Sequence, residues 1–398
     1  MNKMSKIRFK GFHTSLERKQ IGEITTSFSG GTPKSSNKSY YEGDIPFIRS
    51  GEVKSKQTEL FISDEALQNS SAKMVEKGDI LYALYGATSG EVAISQINGA
   101  INQAILAIKP NSGCSSEFIM NYLKKEKDNI LEKYLQGGQG NLSAAIVKSI
   151  ELSLPSPDEQ SAIGSLFRTL DDLLTSYKDI LANYQSLKAT MLSKMFPKAG
   201  QTVPEIRLDG FEGEWEVVNL GTLIDNYDEI ISGVSGFPIA TSSRKGLYLQ
   251  NDYFEGGRTG IDLTLDFHRV PMGYVTYRHM SDDSIFKFNK NNFETDVLVS
   301  KEYPVFMSND SSDIDFILYH LNNSRLFLRF STMQKLGGTR VRLYYKNLIT
   351  YKLAVPTVKE QQAIGAYFSN LDNLINSHQE KISQLEIFKK KLFQDMFI

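Results

Sequence analysis

Three groups of residues have types and spacings that could support chemistry. Pro157-Asp158-Glu159 sets two carboxylates side by side, as a metal-dependent nuclease might, and His268, His279, Asp282 and Asp283 could ligate a divalent ion. Gly138-Gln139-Gly140-Asn141-Leu142-Ser143 has the glycine spacing of a dinucleotide-binding loop. Each also has a plainer reading. Asp158 and Glu159 open a helical pattern, where acid complements the positive helix end, and the repeat of this segment reads Val358-Lys359-Glu360, without the aspartate. The histidines and aspartates are scattered over a loop-rich block, and the glycine run follows a helix rather than opening a βαβ unit. No Gly-x-x-x-x-Gly-Lys-Ser/Thr phosphate loop occurs, and the lack of any Pro-Pro removes the Asn-Pro-Pro-aromatic signature of amino-methyltransferases. No catalytic constellation emerges, so the chain is expected not to be an enzyme and to hold no metal or cofactor.

The elements around these residues repeat. Pro155-Ser-Pro-Asp-Glu-Gln-Ser-Ala-Ile-Gly164 returns 201 positions later as Pro356-Thr-Val-Lys-Glu-Gln-Gln-Ala-Ile-Gly365, and the register holds as far as Met195-Phe196 and Met396-Phe397. Gly11-Phe12, Glu17 and Gly22 return near offset 199 as Gly210-Phe211, Glu216 and Gly221, with fainter echoes at Phe118-Ile119 with Phe316-Ile317 and Gly137-Gly138 with Gly337-Gly338. From Ile163 the apolar residues Leu166, Leu170, Leu173, Tyr177, Ile180, Tyr184, Leu187 and Met191 alternate by three and four, the seam of a coiled coil that should stop at Pro197. The copy runs Ile364, Tyr367, Leu371, Leu374, His378, Lys381, Leu385, Phe388, Leu392, with His378 and Lys381 as polar seam positions. Two matched seams predict mutual antiparallel pairing; packing of each helix on its own block is the alternative.

The rest reads as mixed α/β. Strands are predicted at Ile80 to Tyr85, Val92 to Ile94, Ala104 to Ile108, Val275 to Tyr277, Val297 to Val299 and Tyr303 to Met307, with helices over Ser116 to Leu135 and near Asp315 to Arg329. The expected class is α+β: globular blocks at 1–150 and 199–350, helical spacers at 151–198 and 351–398, arranged as a pseudo-two-fold tandem repeat. The 398 residues carry 43 aromatics, enough to fill two cores. A single cysteine and five dispersed histidines exclude a disulfide scaffold or zinc finger, and no apolar run is long enough to span a bilayer or serve as a signal peptide. A cytoplasmic protein is expected. Net charge is −1, so no bulk field draws the chain to nucleic acid; 1–148 hold 19 basic and 15 acidic residues, 200–348 hold 15 and 20.

Two variable blocks, each followed by a Pro…Glu-Gln…Ile-Gly helix, resemble the specificity subunits of type I restriction-modification enzymes. Ser29-Gly-Gly-Thr-Pro33, Gly43-Asp-Ile-Pro-Phe-Ile-Arg49, Gly78-Asp-Ile-Leu-Tyr82, Gly86-Ala-Thr-Ser-Gly90 and Asn102-Gln103 add to the likeness; the second block departs from these phrases, with Gln250-Asn-Asp-Tyr253 and Tyr277-Arg-His-Met-Ser281. The resemblance implies two target recognition domains reading the halves of a split, asymmetric site on double-stranded DNA. It also implies a helical spacer that docks two modification (methyltransferase) subunits, which two restriction subunits then join. S-adenosylmethionine, ATP and Mg would be held by those partners. Candidate DNA contacts are Lys34, Arg49, Ser50, Tyr85, Thr88, Gln103, Gln139 and Asn141 in the first block, and Arg244, Asn251, Arg258, Arg278, His279, Lys335, Arg340 and Arg342 in the second. Glu159, Gln160, Glu360 and Gln361 are candidates for contact with the modification subunits or, equally, for capping the helix starts. A coiled-coil scaffold with two protein-binding heads, and a two-domain nuclease, are the competing readings.

Overall fold

The computed structural model describes residues 7–135, 141–253, 262–335 and 340–397. The chain divides into two compact units, one built from 1–179 and 380–398, the other from 180–379. This grouping cuts across the four consecutive segments expected above, because each unit takes half of each long helix.

The globular part of each unit is framed by one antiparallel ribbon that joins its beginning to its end. Glu17–Gln20 pairs with Glu151–Leu154 in the first, and Glu216–Asn219 with Lys352–Val355 in the second. Inside the frame lies a four-stranded antiparallel sheet with the same strand order in both units. In the first that order is Thr25–Ser29, Ile105–Pro110, Ile80–Ala83, Val92–Ile94; in the second it is Ile224–Tyr227, Val305–Ser308, Val275–Tyr277, Phe288–Lys290. Beyond this shared sheet the units diverge. The first adds a four-stranded sheet in which Ile45–Ile48 runs parallel to Gly99–Ile101; the second adds a three-stranded antiparallel one through Asp266–Val270. The predicted single helices are each two: Ser116–Lys125 and Lys127–Leu135, then Ile314–Asn323 and Arg325–Met333. Ser324 explains the second break, since its hydroxyl accepts from the amides of Leu326 and Phe327 and starts a new helix.

The long helices are Pro157–Lys194 and Val358–Met396. Pro157 occupies the first helical position, where its missing N–H costs nothing. In the first unit the Phe167 ring packs at a tilt against Phe393, centroids 4.3 Å apart, and Lys178 Nζ donates to Glu386 at 2.7 Å. In the second, Tyr184 meets His378 at 5.3 Å and Lys188 pairs with Asp372. Within each unit one helix ascends in number as the other descends, so the half-helices pair antiparallel. Phe397 packs on Phe118 and Phe167 in the first core, and Phe196 packs on Phe316 and Phe368 in the second. These are the same three aromatic positions of the repeat.

The predicted seam holds at Leu166 and Tyr367, which are half-buried against their units' cores, and differs at the alternate heptad positions beyond them. The inward residues are Ile163, Phe167, Leu170, Leu174, Tyr177, Leu181, Tyr184 and Met191, and their counterparts Ile364, Phe368, Leu371, Ile375, His378, Ile382, Leu385 and Leu392. Leu173, Ile180, Leu187, Leu374 and Phe388 instead lie outside, each between 37% and 49% exposed. Lys381 is exposed as well, which leaves His378 the polar seam position of that pair.

Candidate nucleic-acid interface

The Glu-Gln-x-x-x-Gly phrase is a structural lock, made twice. Glu159 accepts both Nε (2.8 Å) and Nη2 of Arg8, and Glu360 accepts both Nε (2.7 Å) and Nη2 (2.7 Å) of Arg207. Gln160 accepts from the amide of Ser115 (3.0 Å) and donates to the carbonyl of Pro155; Gln361 accepts from the amide of Asp313 (3.0 Å) and donates to the carbonyl of Pro356. Ser115 and Asp313 are in turn the N-caps of the helices that follow the shared sheet. The glycine completes the fit, since a Cβ on Gly164 would lie 2.7 Å from Glu117 Cβ and one on Gly365 2.6 Å from Asp313 Oδ1. All four Glu and Gln residues are 1% exposed. Contact with another subunit is therefore not their role: they bind their own unit together and hold its long helix against its globular part. The partners Arg8 and Arg207 escaped the sequence reading, although Ile7-Arg8-Phe-Lys-Gly11-Phe12 and Ile206-Arg207-Leu-Asp-Gly210-Phe211 repeat around the glycines that were noticed.

In the second unit, Met280–Ser281 pairs antiparallel with Val341–Arg342, and the amide of Leu343 donates to the carbonyl of His279 at 2.8 Å. Side chains alternate along this ribbon as the pleat requires: His279, Ser281, Val341 and Leu343 face inward and are buried, while Arg278, Asp282, Arg340, Arg342 and Tyr344 are exposed on the other face. Arg340 Nε donates to Asp282 Oδ1 at 2.8 Å across the ribbon. Arg244 reaches the same region by donating to Asp283, whose carboxyl the Ser281 hydroxyl, the Ile285 amide and Arg244 keep below the usual carboxylate range despite partial desolvation. Arg278 and Arg342 have no acidic partner among the described residues. His279, expected as a DNA contact, is 5% exposed and stacks beneath Tyr344 at 5.6 Å. Burial lowers the pKa of its imidazole, so it supports the ribbon from below as a neutral ring.

The first unit gathers uncharged groups instead. A Cβ on Gly30 would lie 1.8 Å from the Ile101 carbonyl, so only glycine lets Ser29-Gly-Gly-Thr-Pro33 run against Asn102-Gln103. This contact brings Thr32 to Gln103, Oγ1 to Oε1 at 2.6 Å. The amide of Leu84 donates to Ala104, and the amide of Leu142 to Leu84 at 2.9 Å, which places Tyr85 and Asn141 beside that pair. Gly86 and Gly90, both at positive φ, turn the Gly86–Gly90 loop that carries Thr88. Tyr85 and Thr88 are half-buried; Gln103 and Asn141 are exposed. Arg49 and Ser50 follow the strand Ile45–Ile48, but the Arg49 guanidinium is held by Glu52 at 2.9 and 3.1 Å, so its charge is satisfied within the chain. Lys34, Asn251 and Lys335 are exposed. Gln139, Arg258 and both Gly-Gly echoes lie outside the described residues.

The remaining chemistry resolves into packing. The buried His268 ring sits between two backbone carbonyls, Nδ1 2.8 Å from that of Tyr303 and Nε2 2.8 Å from that of Tyr227, and Asp282 and Asp283 serve the arginines above. Among the described residues no three His, Cys, Asp or Glu side chains group as metal ligands would, and no helix is long and apolar enough to cross a membrane.

The model of the type I restriction modification DNA specificity domain matches residues 15–183 and 251–387, well over half of the chain. The chain belongs to this family. Relatives of the type I specificity family include the MjaVIII specificity subunit of Methanocaldococcus jannaschii, 21% identical over 94% of this chain and 90% of the relative. The MjaIX specificity subunit of the same organism is 30% identical over 40% of this chain and 38% of its own length. The EcoR124I/EcoR124II specificity subunit of Escherichia coli is 25% identical over 40% of this chain and 42% of its own. The crystal structure of the S subunit of a type I restriction-modification system from M. genitalium shares the fold, with a TM-score of 0.60 over 100% of this chain and 99% of that one at 13% identity. As a type I specificity protein, this chain recognises DNA sequence and leaves the chemistry to other subunits. The first family segment lies mostly in the first unit and the second mostly in the second, and each unit has its own exposed polar surface.

Proposed function

We propose that this chain selects a split, asymmetric site on double-stranded DNA, one half per unit, and delivers it to two modification subunits that methylate adenine and to two restriction subunits. The observation that carries this reading is the pair of topologically equivalent units that present different side chains, arginines on one and neutral amides and hydroxyls on the other. Equivalent frames with unequal surfaces read unequal half-sites. Near-zero net charge suits a subunit whose phosphate contacts are shared with its partners. An adenine must leave the base stack to be methylated, and the modification subunit would do that while this chain sets the register. S-adenosylmethionine, ATP and Mg would reside in the partners.

The long helices are proposed as a coiled-coil spacer and as the docking surface for the modification subunits. A two-stranded pair needs one apolar seam. These helices carry further apolar residues outside that seam, Leu173, Ile180 and Leu187 on the first and Leu374 and Phe388 on either side of Lys381 on the second, which stay in water. An extra stripe suits added helices from a partner that complete a larger bundle. Leu187→Asp is expected to abolish co-purification with the modification subunit while changing the stability of the isolated chain by no more than about 0.5 kcal/mol, as for exposed sites generally. Undiminished co-purification would refute the docking assignment.

The whole reading is tested by co-expressing the chain with its modification subunit and mapping methylated adenines across a genome. A single split motif, whose halves change separately when 15–150 and 206–350 are exchanged for the blocks of a relative, is the expected result. A stable complex without a sequence preference would instead favour a scaffold with two protein-binding heads.

A further inference from the structure

Asn141 and Arg342 occupy the same place in the two units. Each directly precedes a buried leucine whose amide donates to a carbonyl just past equivalent strands of the shared sheet, Leu142 to Leu84 at 2.9 Å and Leu343 to His279 at 2.8 Å. They are 201 residues apart, the offset that superimposes the repeated helices. Both side chains are exposed. Around Arg342 the ribbon presents Arg278 and Arg340 on the same face, and Asp282 fixes the guanidinium of Arg340. A two-stranded ribbon is one of the two elements that a major groove admits. An arginine left without an acid, in a block with 15 basic and 20 acidic residues, points to a ligand rich in acceptors.

We propose that this position reads one base in each half-site: Arg342 a guanine in the half belonging to the second unit, and Asn141 an adenine in the half belonging to the first. The inference rests on the DNA-reading function proposed above and adds the identity of the bases. The guanidinium fork donates twice, which matches the paired O6 and N7 acceptors of guanine; a carboxamide donates once and accepts once, which matches N7 and N6 of adenine. The surrounding arginines make the second half-site richer in G·C contacts than the first.

The methylation map of the wild-type complex, with halves assigned by block exchange, comes first. A second half-site that contains no G·C pair overturns the proposal while leaving the split-site function intact; the absence of any split motif overturns both. In the variants, Arg342→Asn is expected to cost about 10- to 100-fold in discrimination at one G·C position of the second half and to move the preference there toward adenine, with the first half unchanged. Asn141→Arg is expected to install a guanine preference at one position of the first half. Competition binding with a duplex series separates base from phosphate contact: if Arg342→Asn weakens all sequences equally, the arginine serves the backbone and the proposal falls. Because the wild-type map decides before any variant is made, a variant that fails to fold does not leave the question open.

Discussion

Glu360→Ala is expected to destabilise the second unit by about 3–5 kcal/mol, the loss typical when one member of a buried ion pair is removed. Glu360 is 1% exposed and accepts two hydrogen bonds from Arg207, which also donates to the backbone carbonyls of Gly213 and Glu212. Without the carboxylate, a half-buried guanidinium held by those carbonyls has lost its counter-charge, and the helix start loses its tie to the preceding chain. The apolar double variant Arg207→Met/Glu360→Leu should recover most of the loss, because no unpaired charge remains. Glu159→Ala should do to the first unit what Glu360→Ala does to the second, through Arg8. Unit-resolved hydrogen exchange in the purified complex measures both. A change below about 1 kcal/mol in each single variant would show that the pairs are incidental.

One heptad inserted into each long helix, after Ile180 and after Glu380, is expected to lengthen the unread gap of the target by about three base pairs. Seven residues add roughly 10 Å at 1.5 Å per residue, and base pairs rise by about 3.4 Å. A whole heptad keeps the inward face inward, so Leu174, Leu181, Ile375 and Ile382 remain packed. Methylation at the original spacing should disappear and return on duplexes with the longer gap, both half-sites unchanged. Altered half-sites, or an unaltered gap, would remove the spacer role.

The repeat was legible because its signal is local and doubled. The phrase around Glu159 and Glu360 recurs with its glycine, and helix length follows from an apolar run without a breaker. The seam was half legible for a definite reason. Leu166-Phe167, Leu173-Leu174 and Ile180-Leu181 each offer two adjacent apolar residues, and a three-four count from Leu170 or Tyr177 is satisfied by either member. Only packing decides between them, and it chose the second of each pair. The ribbon that gathers Arg278, Arg340 and Arg342 joins segments about sixty residues apart, with no turn sequence to announce the pairing. Those arginines could be named from side-chain chemistry, whereas their common face, the burial of His279 and the counter-charges at Asp282 and Asp283 needed coordinates. Burial of Glu159 and Gln160 was equally hidden, since acid at a helix start reads as a surface cap until its arginine is seen.

The first unit is discontinuous: Phe397 fills its core against Phe118 and Phe167, and the amide of Ile7 donates to the carbonyl of Asp395 at 3.2 Å. During translation the segment made first must wait for residues near 390 before its aromatic core can close, whereas the second unit has all of its parts once residue 379 has emerged from the ribosome. The order of completion is thus the reverse of the order of synthesis, and a chain cut after residue 379 would hold every part of the second unit while the first stayed open.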